Sequence, residues 1–194
     1  MMSKKINHFT ITLLLISACM FSLQANADEP DAGQIAPDFE IIQMDGTPFK
    51  LSDYKGKQSV YLVFWNTWCH FCMKKIPKLK AAQLNLADDI KIIAVNTTNK
   101  DSIEESIEFQ QRFKINYSLA FDNGKKVTDL YNVWGTPTEF IIDINGIIQH
   151  RDGVPEKLEN YLSDWNHINR SYTQVFKAYL NIINNIVNKV NQAS

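Results

Sequence analysis

The sequence predicts an α/β fold in which a central sheet of mixed direction is flanked by helices. Val60 to Trp65 and Ile90 to Val95 are unbroken apolar runs rich in β-branched and aromatic residues, the pattern of strands buried on both faces. A helical stretch from Met73 to about Leu86 separates them, so strand, helix and strand form a parallel βαβ unit. Further on, Thr138 to Ile144 and Ile147 to His150 flank Asn145-Gly146, the signal of an antiparallel hairpin with a type I′ turn.

The 194 residues are 45% apolar and carry a net charge of −1, which suits one globular domain with extensions and gives no sign of nucleic-acid binding. Residues 1–27 stand apart. Lys4 and Lys5 precede an apolar segment from Phe9 to Leu23 that ends in Ala25-Asn26-Ala27, the pattern of a secretory signal peptide and too short for a comfortable membrane span. Cleavage there leaves 18 basic against 21 acidic residues, a mature charge of about −3. Ile16-Ser17-Ala18-Cys19 offers an alternative, since it resembles a lipoprotein box in which Cys19 would be lipidated and anchor the chain to a membrane. On either path the protein is expected outside the cytoplasm, in the periplasm if it is free.

Residues 28–165 are expected to form the domain. Asp28 to Gln34 reads as a polar linker, and Phe39 to Ile42 with Thr47 to Leu51 as a hairpin around Asp45-Gly46. Pro77 falls inside the first helical pattern and predicts a kink. Ser102 to Lys114 places Ile103, Ile107, Phe109 and Phe113 at amphipathic helical spacing. Tyr117 to Phe121 reads as a short strand, Val127 to Trp134 as a short helix, and Glu156 to Trp165 as a last helix opened by Pro155. Residues 166–194 hold seven asparagines, three basic residues and no acidic one. Tyr172, Val175, Phe176, Tyr179, Ile183, Ile186, Val187 and Val190 form an apolar stripe there, so the segment is expected to be an amphipathic helix whose stripe is covered by the domain or by a second copy, giving a homodimer.

The chemistry concentrates where the first buried strand ends, in Trp68-Cys69-His70-Phe71-Cys72. With Cys19 removed, an exported chain keeps only these two cysteines, which is no disulfide framework. A cysteine at a helix N-terminus meets unpaired backbone N–H groups that favour the thiolate, the reactive form. Cys69 is therefore the candidate nucleophile, and Cys72, one turn on and expected to be the more buried, the resolving thiol. A static staple is the alternative, although so small a loop stabilises little through chain entropy. A metal site is another, since Cys69, His70 and Cys72 are all soft or borderline ligands, and a copper- or haem-handling chaperone would use Cys69 and Cys72 as its ligands. Otherwise no metal and no cofactor is implied, the redox group being the Cys69–Cys72 pair itself. His70, when protonated, would favour the Cys69 thiolate, unless it is only an exposed spacer. Lys74 reads as an ordinary solvated charge, Trp65 as core, Trp68 as a shield and contact surface over the sulfur, and His150 as solvated.

Ala36-Pro37-Asp38-Phe39, Leu51 through Lys57, Phe64 through Cys69 and Gly135-Thr136-Pro137-Thr138 resemble the thioredoxin superfamily, and within it the exported TlpA/ResA/DsbE-like thiol–disulfide oxidoreductases. The resemblance covers most of residues 33–165. It implies a thioredoxin-like sheet, exchange of disulfides with protein thiols, and a membrane thiol carrier as electron donor. It also implies that the Thr136–Pro137 bond is cis and packs against the cysteines, with the Thr136 backbone turned out toward an extended substrate. Two positions depart from the family pattern. Phe71 stands where a proline is common, and Lys75 where the family often carries a glutamate that accepts a proton from the buried thiol. A lysine there reverses the field and favours thiolate. Resemblance favours a reductase, whereas His70, Phe71 and Lys75 favour a less reducing couple, an oxidase or isomerase.

Overall fold

The computed structural model describes residues 29–167. The signal-peptide expectation, Cys19 and the predicted tail helix lie outside these residues. Among the described residues no helix is long and apolar enough to cross a membrane.

Five strands form the main sheet in the order β5-β4-β3-β6-β7. They are β3 (Ser59–Trp65), β4 (Ile90–Asn96), β5 (Ser118–Phe121), β6 (Thr138–Ile142) and β7 (Ile148–Arg151). Strands β3, β4 and β5 run parallel, while β6 and β7 are antiparallel to their neighbours, so the sheet is mixed as the sequence predicts. β3 is buried along its whole length and sends alternate side chains to opposite faces. Tyr61, Val63 and Trp65 pack with Ile76, Leu79 and Phe109 on one face, and Val60, Leu62 and Phe64 with Phe39, Phe49 and Tyr131 on the other. This two-sided burial explains why β3 reads as a continuous apolar run.

Helix α1 (His70–Asn85) begins three residues before the predicted start, because Cys69 serves as its N-cap. The helix runs through Pro77. Helix α2 (Ile103–Phe113) opens on a capping box between Ser102 and Glu105 and closes on Lys114 in the left-handed region. Its buried face is not quite the one predicted. Ser106 and Phe109 point inward, whereas Ile103 and Ile107, roughly 110° away around the helix, are exposed.

Three further local expectations are corrected. A type I′ turn needs positive φ at both central residues, but in the β6–β7 hairpin only Gly146 has it. The Gly146 N–H donates to the Asp143 carbonyl, and the Asp143 carboxylate accepts from the Asn145 and Ile147 N–H groups. In the hairpin of β1 (Glu40–Ile42) and β2 (Pro48–Lys50) the Gly46 N–H likewise donates to the carbonyl three residues back, that of Gln43, but the carboxylate there is that of Asp45, which accepts from the Thr47 N–H and hydroxyl. The predicted linker is docked instead. Ile35 bridges Ile147, and the Gly33 and Ala36 N–H groups donate to the Ile148 and Gly146 carbonyls. The predicted helices after β5 and β7 are shorter than expected: α3 (Lys126–Leu130), then a 3-10 turn (Leu158–Asn160) and α4 (Leu162–Trp165). Asn166 is tied to the domain, its Oδ1 accepting from the Ser59 N–H and hydroxyl.

Candidate functional site

The site lies where β3 ends and α1 begins. Cys69 and Cys72 are joined by a disulfide, their Cα atoms 5.2 Å apart. Cys69 has extended backbone, and its Sγ accepts from the Cys72 N–H at 3.1 Å, so the sulfur takes one of the donors that a helix N-terminus leaves free. Donors aimed at this atom stabilise it as an anion once the disulfide opens. Cys72 is not the more buried of the two: exposures are 3% for Cys69 and 7% for Cys72. The N-cap position sinks Cys69 into the junction of strand and helix, and in the disulfide both sulfurs share that cover.

The turn before Cys69 is held by a polar network built on Asp101. Its carboxylate accepts from the Thr67 N–H (2.8 Å), the Thr67 hydroxyl (2.5 Å), and the side-chain amides of Asn66 (3.1 Å) and Asn96 (2.7 Å). Asn66 Oδ1 in turn accepts from the Thr97 and Thr136 hydroxyls. The Thr136–Pro137 peptide is cis. Asn66 therefore ties the cis-proline loop to the turn that carries the nucleophile. Trp68 is fixed by its indole N–H, which donates to the Asn99 carbonyl at 2.8 Å.

Residues 32–151 match the AhpC/TSA family. The chain belongs to the AhpC/TSA family. This family member is 31% identical over 161 residues to the thiol-disulfide oxidoreductase ResA of Bacillus cereus, covering 78% of this chain and 91% of that one. To the thioredoxin-like protein YneN of Bacillus subtilis it is 36% identical over 118 residues, 60% of this chain and 68% of that one. Among solved structures, a candidate thiol:disulfide interchange protein DsbE from Chlorobium tepidum superposes with a TM-score of 0.61 at 30% identity, covering 71% of this chain and 99% of that one. The exposed lipoprotein thioredoxin Etrx1 of Streptococcus pneumoniae gives a TM-score of 0.54 at 27% identity, over 66% of this chain and 99% of that one. The thioredoxin-like fold and the ResA- and DsbE-like kinship read from the sequence are borne out, and this AhpC/TSA family member is a thioredoxin-like thiol–disulfide oxidoreductase.

The remaining predicted site residues fall into two groups. His70 and Phe71 are exposed on the first turn of α1, their rings 6.0 Å apart edge to face, with the Lys74 ammonium 5.2 Å from the Phe71 ring. Trp68 is exposed beside them. Lys75 points the other way. Its Nζ forms an ion pair with Glu139, a β6 carboxylate only 3% exposed that also accepts from the Tyr61 hydroxyl. Burial and the Glu139 charge push the Tyr61 phenol pKa up, so it stays a donor. The expectation that Lys75 presents an uncompensated positive field is corrected accordingly: the lysine is matched by a buried anion.

Sequence reasoning missed three residues here. Glu139 carried a signal, a charge directly ahead of the apolar run Phe140-Ile-Ile and next to the cis-proline loop. Trp134, 88% exposed, carried one too, since a large aromatic directly before Gly135-Thr136-Pro137 has no core to fill. With Trp68, Asn99 and Thr136 it lines a groove of about 410 Å³ beside the cysteines. Asp101 had none, being one acid in a polar loop. Trp65 is core as read. His150 is not simply solvated: its ring meets Tyr161 and Trp165 edge to face, and burial pulls its pKa below the ordinary histidine value.

Proposed function

We propose that this protein is an exported reductase of protein disulfides, working in the periplasm or from a membrane anchor at Cys19, and recharged by a membrane thiol carrier. Cys69 attacks the partner disulfide, and Cys72 resolves the mixed disulfide. The electrons reside on this pair, without a further cofactor. The observation that carries the proposal is the Cys69 sulfur at the N-cap of α1, accepting a helix N–H and bonded to Cys72. Around it Trp68, Phe71 and Trp134 are exposed and offer apolar contact to a polypeptide, beside Thr136 of the cis-proline loop. Pairing with Glu139 neutralises Lys75 and removes one of the reasons for expecting an oxidising couple.

Replacing Cys72 with alanine is the test. Cys69 then remains covalently held on its partners, because the resolving thiol, whose effective concentration is very high on the same helical turn, is gone. Reducible adducts are expected on non-reducing gels and must vanish when Cys69→Ala is added. Rapid alkylation of the wild type in the cell gives the direction: mostly dithiol marks a reductase, mostly disulfide an oxidase. A folded Cys72→Ala protein that traps nothing would leave the metal-binding reading of the two cysteines in its place.

A further inference from the structure

Asn66 stands between the nucleophile and the cis-proline loop. It follows β3 directly, is 1% exposed, and uses its main chain and its side chain for different neighbours. The backbone carbonyl accepts from the Cys69 N–H at 3.2 Å. The side-chain Oδ1 accepts from the Thr97 hydroxyl at 2.9 Å and the Thr136 hydroxyl at 3.2 Å, and the amide donates to Asp101 at 3.1 Å. The sheet explains this meeting. Phe64 is opposite Thr138 in the β3–β6 ladder, and continuing that antiparallel register by two residues sets Asn66 opposite Thr136. A buried side chain whose oxygen and amide are both engaged is rigid, a strut rather than a ligand-binding group. Among the described residues, no other side-chain hydrogen bond joins residues 134–136 to the turn that carries Cys69.

What this strut holds is a main-chain edge. The Gly135 carbonyl is taken by the Thr138 hydroxyl at 2.8 Å. The Thr136 N–H and carbonyl have no hydrogen-bond partner among the described residues, although Thr136 is half-buried and lines the groove it shares with Trp68 and Trp134. Main-chain groups taken from water are ordinarily paired. A free donor and a free acceptor on one residue suit an extended chain laid alongside, which presents the complementary groups. A small disulfide has no main chain to offer.

We infer that Asn66 is a positioning residue that fixes this edge relative to the Cys69 sulfur, and thereby selects disulfides carried by an extended polypeptide over small ones. The inference rests on the thiol-exchange function proposed above. In that exchange the Cys69 thiolate attacks one sulfur of the partner disulfide and a bond from Cys69 to that sulfur forms. The partner's own S–S bond breaks, and its other sulfur leaves as a thiolate with the electron pair. The reaction needs close and aligned sulfurs, so a polypeptide paired at Thr136 delivers its disulfide well only while Thr136 and Cys69 keep their spacing. Without the Asn66 side chain the Thr136 hydroxyl loses its acceptor and the edge is released. Cys69 keeps its own bond, which goes to the Asn66 main chain. Trp68 and Trp134 still flank the groove.

Two probes that release the same chromophore separate placement of the edge from reactivity of the sulfur. One is the dithiobis-nitrobenzoate disulfide. The other is a short extended peptide whose central cysteine carries thionitrobenzoate in a mixed disulfide. Attack by Cys69 of the reduced full chain releases thionitrobenzoate from either, the lower-pKa thiol being the better leaving group, and stopped-flow absorbance follows the first release. Asn66→Ala should lower the ratio of peptide rate to small-disulfide rate about tenfold, within the roughly 100-fold that a misplacement of about 1 Å can cost. The loss should fall on the limiting rate rather than on the half-saturating peptide concentration, because the groove walls remain. Thr136→Val removes only the hydroxyl and should lower the ratio equally, whereas Thr136→Ser keeps it and should hold the wild-type ratio. The double variant Asn66→Ala, Thr136→Val should fall no further than either single one, since both cut the same link. A general loosening of the fold would slow both probes together. Thr136→Val also serves should Asn66→Ala fail to fold. An unchanged ratio in either folded single variant, or additive losses in the double, overturns the inference while leaving thiol exchange standing. Absence of chromophore release by the wild type overturns both.

Discussion

Replacing Asp101 with alanine takes one acceptor from four donors at once. Two have alternatives. The Asn96 amide also donates to Ser106 Oγ at 3.1 Å, and the Asn66 amide lies 3.4 Å from Asn96 Oδ1 and the Asn99 carbonyl. The Thr67 N–H and hydroxyl have none beyond Asp101 except water. Two hydrogen bonds to a charged acceptor at about 1.5 kcal/mol each give an expected loss of about 3 kcal/mol. For a domain of this size that lowers Tm by roughly 10 °C. Asp101→Asn keeps one acceptor oxygen and should cost about half as much. Urea unfolding of the oxidised chain measures the loss, and a cycle with Thr67→Ala measures whether the pair is coupled. A coupling of about 1 kcal/mol or more is expected, since residues sharing a network are not additive. A loss below about 1 kcal/mol for Asp101→Ala, or additivity with Thr67→Ala within about 0.5 kcal/mol, would refute the view that this carboxylate organises the turn before Cys69.

Two further outcomes follow from the site and its surroundings. His150 has a folded-state pKa depressed by burial, so the unfolded chain binds the extra proton first, and the stability that neutral His150 contributes is present above about pH 6.5 and lost as pH falls below it; the urea midpoint should therefore drop between about pH 6.5 and about pH 5, and His150→Gln should flatten that part of the curve. Trp134→Ala removes an exposed aromatic and no core contact, so it should leave stability unchanged and the reaction with a small-molecule disulfide within about twofold while slowing reduction of a folded protein disulfide about tenfold, the scale of an interface aromatic worth somewhat over 1 kcal/mol; equal effects on the two substrates would remove Trp134 from the docking surface.

The fold was legible where a strand is buried on both faces. Val60 to Trp65 and Ile90 to Val95 are apolar at every step because both sides of the sheet are covered, and the mixed order followed from one crossover and one hairpin. Boundaries were less legible, because they depend on single side chains. A cysteine capping α1 moved its start to His70, and the Asp143 carboxylate chose a turn in which only Gly146 needs positive φ. Ile103 and Ile107 shared an amphipathic spacing with Phe109 and Phe113, but four apolar residues on one short helix are compatible with two adjacent faces, and packing against Trp65 selected the phenylalanines.

The site was legible in its sulfurs and not in its charges. Cys69 and Cys72 lie three positions apart in sequence, and their strand–helix setting announces their chemistry. Lys75 could not be weighed in the same way, since the effect of a charge depends on what faces it across the fold, and its partner lies on another strand. A lysine alone near Cys72 would stabilise the thiolate. The same lysine beside a buried carboxylate makes a pair of no net charge. The electrostatics of this active site are therefore a property of the β3–β6 register, which sets Glu139 opposite Val63. A shift of that register by one residue would turn Glu139 to the other face. Lys75 would then stand near Cys72 without its anion, the positive field that the sequence had suggested.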